Sequence, residues 1–447
     1  MLARTQVTYG PVVTPKFEVE RITDTAGRQQ TGGSGASCWG YNQSNIVRCG
    51  EEVYALSWRD DLTLVVFRRV EAGRWEASLP LPPVPQNGNL LVDSRQRLHV
   101  IAGQGASYHV IFDPPGQVKR FTVQQYATAD SRFGASINAE DQIFAAGGLG
   151  RMAWYVLNPE DGFRPMASGE VKHQRDRGYN FVILNGAEAH ALNSDDYFLR
   201  GDQYPRQTAH YRDFQTGEMK VLETPSGIYP VLKAYYYYCP DVFRSPEDWR
   251  MTVVSDVSDT FDGNARGTTD HQDLTLDAQG RVHLTYYENR QPSTTVWAGQ
   301  GQDPADSEVY HAVGGPGGPF AHFRLGKGFN SCRVCQTPDG RFHYLMTRGG
   351  RGKAEGLWYA TGEDGGWDRI SEPVPLEMPG RFWYFSTSRT QAGGTPTPVE
   401  RPSRFWHFFT STTRAGGTRM PFIDGYWTGA YQENSNEVWY GRLTPET

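Results

Sequence analysis

The sequence predicts an all-β chain folded as a seven-bladed β-propeller, with eight blades as the alternative. Three observations carry this reading: a hairpin that recurs along the chain, a composition rich in aromatics and turn formers, and the lack of long Ala-, Leu-, Glu- and Lys-rich runs at helical spacing. The clearest hairpin is 270–287, DHQDLTLDAQGRVHLTYY, in which Leu274, Leu276, Val282 and Leu284 alternate with polar residues on either side of a tight turn at 277–280. Related hairpins occur at 87–104 (LLVDSRQRLHV), 132–148 (ASINAEDQIFAAGG) and 331–348 (CRVCQTPDGRFHY). A period of about 45 residues built from such hairpins is the mark of a propeller blade.

All 447 residues fit one closed domain, and hydrophobic residues make up 38% of them, aromatics 13%, with 50 Gly and 28 Pro. The formal charge of -6 lacks the basic footprint of a nucleic-acid binder, and no lysine run seeks an anionic membrane. No stretch approaches the roughly 18 apolar residues of a membrane span. Residues 1–15 lack the apolar core of a secretory signal, so the expectation is a soluble monomer, either cytoplasmic or secreted with its leader removed. Five cysteines do not build a disulfide framework. Cys332 and Cys335 form a CxxC inside a predicted strand and are expected as buried thiols, the alternatives being a structural zinc site or, elsewhere, a Cys38–Cys49 disulfide. No cofactor is expected beyond a possible structural metal ion.

In chain order, 16–22 is a strand that returns to close the last blade, since a propeller must join its end to its beginning. Blade one covers 39–80, blade two 87–123, blade three 132–168 and blade four 179–223, lengthened by a polar loop at 193–207. The period then fails: 225–269 holds the run Tyr235 to Tyr238 and a second apolar run at 249–254, and is expected to be an insertion across one mouth. Blade five is 270–325, blade six 330–370 and blade seven 381–443.

Equivalent positions in different blades lie on one ring about the axis. Counting back twelve residues from His283, His99, Phe144, Tyr54 and His343 gives His271, Asn87, Arg132, Asn42 and Ser331 at the starts of inner strands. Tyr179 joins them with a one-residue gap. The second strands return to the same face, bringing Arg59, Gln104, Tyr287, Glu288 and Arg348. One mouth thus collects Arg, His, Tyr and amide groups, the kind of convergence that marks a binding site. His99, His283 and His343, mid-strand at one repeat position, are expected to be structural, and the tyrosines at 235–238 to pack or to form a rim.

The blade rhythm, together with the 363–368 turn EDGGWD, resembles the Asp-box and BNR-repeat propellers of sialidase type. In particular, it is similar to the seven-bladed group of ulvan lyases and enzymes acting on rhamnosyl-glucuronate linkages. That group pairs a His at an early inner-strand start with another about twenty residues later; the matching positions here are Asn87 and Gln104, with His109 displaced along the next strand. The resemblance implies a polysaccharide lyase that cleaves a uronate-containing glycan by β-elimination. Its polysaccharide or oligosaccharide substrate would be met by Arg132 as the carboxylate neutraliser, His271 or His109 as the base, and Tyr287 or Tyr179 as the acid. Asn42, Asn87, Gln104, Arg59 and Arg348 would bind substrate. A non-catalytic glycan- or protein-binding propeller is the first alternative. A glycoside hydrolase is the second, and needs two facing carboxylates.

Overall fold

Seven four-stranded antiparallel sheets, each running from an inner to an outer strand, form a seven-bladed β-propeller in the computed structural model of the chain. The structure describes residues 3–24, 45–49, 51–58, 63–82, 88–103, 107–114, 116–126, 133–147, 152–171, 180–194, 208–212, 219–223, 231–260, 266–293, 302–348, 356–377, 409–413, 419–428 and 438–445. Among these, no helix is long and apolar enough to cross a membrane.

Each blade forms because short alternating runs face two neighbours at once. In an inner strand, successive side chains point to the blade before and the blade after, so both faces are buried. The inner strands are Ile46–Cys49, Asn89–Val92, Phe133–Ile137, Phe181–Asn185, Arg266–Leu276, Phe329–Gln336 and Phe409–Thr413. The core is therefore divided into clusters between adjacent blades, as where Leu56, Leu64 and Tyr54 of blade one meet Leu90, Val100 and Val110 of blade two.

The two cysteines of the CxxC illustrate the alternation. Three residues apart on one strand, Cys332 packs in the cluster with Val334 and Phe342, while Cys335 packs in a different one with Leu345 and Tyr359. Both are buried and in no disulfide, and burial pushes the Cys332 thiol well above its ordinary value. Among the described residues no group of three or more His, Cys, Asp or Glu side chains is placed to hold a metal. Cys49 is a free thiol, and its suggested partner Cys38 lies outside the described residues.

Blade four differs from its sequence reading. Its third and outer strands are Lys233–Cys239 and Arg250–Asp256, so most of 225–269 belongs to the regular sheet. The extra segment lies earlier, between Ser194 and Val231, and includes a two-stranded hairpin of Thr208–Arg212 and Met219–Glu223. The cause is a sequence signal that cannot separate the two cases. Tyr235, Tyr236, Tyr237 and Tyr238 are all buried, so the strand reads as a continuous aromatic run with no alternation.

The N-terminal segment is used more fully than expected. Lys16–Thr23 pairs antiparallel with Val438–Thr444 as the outer strand of blade seven, which joins the two ends of the chain in one sheet. Before that, Arg4–Gln6 adds a parallel fifth strand to blade five against Phe320–Lys327. Thr8–Gly10 pairs in parallel with Arg369–Ser371 at the edge of blade six.

The two ends of the inner hairpins are built differently. At the turn end, Asp93, Asn138 and Asp277 each accept a backbone N–H from four residues on. From the same turn, Asp93 Oδ2 lies 3.1 Å from His99 Nε2, Asp277 Oδ2 lies 3.1 Å from His283 Nε2, and Thr337 Oγ1 lies 2.7 Å from His343 Nε2. The other ring nitrogen of each histidine reaches the third strand of its own blade: His109 at 2.9 Å, His311 at 2.9 Å and Tyr359 at 2.9 Å. These histidines act as buried polar struts, which satisfy the turn and cross-link the blade.

Candidate active site

The opposite end, where inner strands begin and second strands finish, holds a recurring asparagine and, beside it, polar groups that do not repeat. Buried asparagines open four of the inner strands, Asn45, Asn89, Asn180 and Asn330. Two of them are locked by the returning strand: Asn193 Nδ2 donates to Asn180 Oδ1 at 2.7 Å, and Thr347 Oγ1 donates to Asn330 Oδ1 at 2.8 Å. This asparagine series is a signal that counting back from the strut histidines missed by one to three positions.

His271 is the centre of the arrangement. It lies in the inner strand of blade five, next to a bulge between His271 and Asp273, and is fully buried. Ser194, the last residue of the second strand of blade four, brings its Oγ to 2.7 Å from His271 Nδ1 and donates to Asp270 Oδ1 at 2.7 Å. The His271 backbone N–H donates to the same Oγ at 3.1 Å, and Asp270 Oδ1 is 3.1 Å from His271 Nδ1. A serine hydroxyl has one proton and two lone pairs. Its proton is committed to Asp270, so Nδ1 must be the donor toward Ser194 and Asp270. That tautomer leaves the lone pair of the imidazole on Nε2.

Three blades meet around this group. The ring of Phe181, from blade four, stands edge-on to His271 with centroids 5.8 Å apart. The guanidinium of Arg333, from the inner strand of blade six, lies 4.6 Å over the Phe181 ring, and its Nη1 is 3.3 Å from Asp273 Oδ1 of blade five. Blades four and six are separated by blade five everywhere except at the axis, so the Arg333–Phe181 contact places this cluster in the central channel. Burial pushes the Asp273 carboxyl up, and Arg333 with the Val334 and Leu274 backbone N–H groups opposes it. Gln272, in the bulge, is buried, and its Nε2 finds no acceptor.

Of the residues expected at this mouth, Asn42, Arg59, Asn87, Gln104, Arg132 and Tyr179 lie outside the described residues. His109 is not brought to His271. It belongs to the third strand of blade two, where it serves as the strut partner of His99 and packs edge-on against Phe163. Tyr287 is likewise engaged elsewhere: its buried side chain packs with Val7, Val309 and Phe329 in the core between blades five and six. Arg348 ends the second strand of blade six, with its guanidinium over the rings of Trp358 and Phe329 at 5.0 and 5.5 Å. Asp270 and Asp273 were expected at this mouth as the acids a hydrolase would need, whereas Ser194, Gln272 and Arg333 were not singled out by the repeat count. Their meeting depends on contacts between blades that no spacing within one hairpin encodes.

No family model matches the sequence, and no curated protein matches it either. Solved structures do resemble it. A polysaccharide lyase of family 25, an ulvan lyase bound to a -[GlcA(1-4)Rha3S]- oligosaccharide, is 11% identical with a TM-score of 0.53, over 92% of this chain and 95% of that one. An α-L-arabinanase from Penicillium chrysogenum complexed with arabinobiose is 11% identical with a TM-score of 0.44, over 96% of this chain and 98% of that one. At such identity the first likeness defines the class of architecture, a seven-bladed propeller, and the second adds nothing to it.

Proposed function

We propose that the protein is a carbohydrate-active enzyme, specifically a lyase that cleaves a uronate-containing polysaccharide by β-elimination at the axial mouth. The observation that carries the reading is the pair of contacts at His271 Nδ1, Ser194 Oγ at 2.7 Å and Asp270 Oδ1 at 3.1 Å, which a proton on Nδ1 satisfies and which leave Nε2 as the basic atom. In this reading a cation neutralises the substrate carboxylate, with Arg132 and Arg333 as the candidates. His271 Nε2 takes the proton from the carbon next to the carboxylate, the bond to the leaving oxygen breaks, and Tyr179 protonates that oxygen. The products are a new chain end and an unsaturated uronate. The unpaired amide of Gln272 would donate to a sugar oxygen. The likeness in fold to an ulvan lyase supports the same reaction class by analogy only.

One observation favours a structural role for this cluster, and with it a non-catalytic propeller: His271, Asp270 and Ser194 are all shut off from solvent. A hydrolase fits less well among the described residues, because Asp270 and Asp273 share one strand and are engaged by Ser194 and Arg333. The test is ultraviolet absorbance from unsaturated uronate after incubation with ulvan and other uronate polysaccharides. His271→Gln and Arg132→Ala should each lower its rate of appearance by at least about a hundredfold with folding intact. No absorbance from any such polysaccharide, together with measurable glycan binding, would establish the binding propeller in its place.

A further inference from the structure

A buried acid lies behind the axial site, and its main counter-charge comes from the far edge of the sheet. Glu288, on the second strand of blade five, is cross-strand partner to Thr269, two residues before His271, and its side chain is 1% exposed. Arg4, in the added parallel strand at the opposite edge of that blade, passes 4.7 Å over the Tyr310 ring and pairs through Nη2 with Glu288 Oε1. The same Oε1 accepts from Ser255 Oγ at 2.6 Å, and Ser255 Oγ lies 2.7 Å from Thr269 Oγ1. Arg290 is a second, weaker partner: its Nη1 is 3.5 Å from Oε2, while its Nη2 is committed to Asp259. A continuous chain of contacts, Arg4–Glu288–Ser255–Thr269, buried from Glu288 onward, thus runs from the N-terminal strand to the strand that holds Asp270 and His271.

We propose that Arg4 is a positioning residue of the axial site, acting through Glu288 to fix the inner strand of blade five and with it the imidazole of His271. The proposal rests on the reading of His271 as the base. Burial alone would push the Glu288 carboxyl up toward neutrality, and Arg4 opposes this. Without Arg4, either a buried carboxylate stays near the site or it takes up a proton and exchanges its bonds to Ser255. Both outcomes change what His271 experiences. Among the described residues, Asp270, Ser194 and Phe181 face His271, with Asp273 and Arg333 beyond them, and none of these is altered by substitution at position 4.

The experiment is side-chain nitrogen NMR of the full chain with labelled histidine, the His271 signals being assigned by their loss in His271→Gln. Arg4→Met, Glu288→Gln and the double variant are compared at one pH and assayed on the polysaccharide that the wild type turns over best. Arg4→Met is expected to displace the His271 ring-nitrogen signals and to lower kcat about tenfold with little change in KM; the double variant should return both toward wild type. If Arg4→Met does not fold, Glu288→Gln alone carries the test, with an expected displacement of the same signals. Unchanged His271 signals in folded Arg4→Met, or in Glu288→Gln, would mean that the ion pair only anchors the N-terminal strand, and would overturn the proposal. If the wild type cleaves no uronate polysaccharide while the His271 signals move as stated, the lyase reading fails and the positioning role stands.

Discussion

The turn end of the inner hairpins and the axial end are built from the same residue types, yet they are organised in opposite ways. At the turn end, Arg281 and His283 both bond to Asp277 within one short turn, and Arg97 and His99 bond to Asp93 in the same pattern in another blade. At the axial end, Ser194 reaches His271 in the next blade, and Arg333 of blade six reaches Phe181 of blade four. A group that recurs from blade to blade with local partners serves the fold. A group that occurs once, with partners in other blades, serves something that only one place in the ring needs to do.

The largest expected effect tests the place where structural polarity also crosses between blades, at the closure of the ring. Arg48 of blade one donates to both oxygens of Asp424 in blade seven, at 2.7 and 2.9 Å, with both side chains fully buried, and Tyr440 donates to the same carboxylate at 2.5 Å. Arg48→Met leaves the buried carboxylate with only the more distant Arg442, 3.8 Å away, as its cation, and should cost about 3–5 kcal/mol in chemical denaturation. A loss of under 1 kcal/mol, on the scale of an exposed pair, would show that the closure relies on strand pairing alone.

A smaller effect separates the two ends directly. Asp277→Ala removes the acceptor for the Gln279 and Arg281 backbone N–H groups and for His283, so it should lower stability by about 1–3 kcal/mol and leave turnover unchanged. Asp270→Asn should do the reverse, lowering turnover about tenfold or more with little change in the denaturation midpoint. Equal effects of the two substitutions on both readouts would abolish the distinction between the ends.

The smallest effect per group is the titration of the struts and their partners. Burial lowers the pKa of His99, His109, His283 and His311, and of His190, His322 and His343 to about 4. A depressed folded pKa means that the unfolded chain binds more protons, so the contribution of these groups is complete above the unfolded value of about 6.5 and is lost as pH falls toward 4. Asp273 and Glu288, pushed up by burial, act in the opposite direction but are two against seven. The thermal midpoint should therefore be flat from about pH 8 to 7 and fall between about pH 6.5 and 4. Substituting His190, whose Nε2 has no partner, should flatten that fall.

How much was readable in advance follows from the same contrast. The hairpins, the structural standing of His99, His283 and His343, and the pairing of 16–22 with the last blade are consequences of alternation, tight turns and the need to close a ring. Each is local or forced by topology. Blade four was misread because its third strand is buried on both faces, and because the extra segment after Ser194 moved that strand out of period. The parallel additions at Arg4–Gln6 and Thr8–Gly10 are three residues long, too short to show any period. His271 was reached by counting, but Ser194 and Arg333, which come from the blades on either side of it, were not. Their roles come from a bulge and from the convergence of strands on an axis, and neither leaves a spacing in the sequence.

The path of the N-terminal segment also sets a timetable. Its strands are synthesised before every blade they complete, since they add to blades five, six and seven. As synthesis proceeds, this segment has to wait without its partners while the early blades assemble behind it. The ring is locked only when Val438–Thr444 emerges, so the chain commits to its closed form after all seven blades have been made.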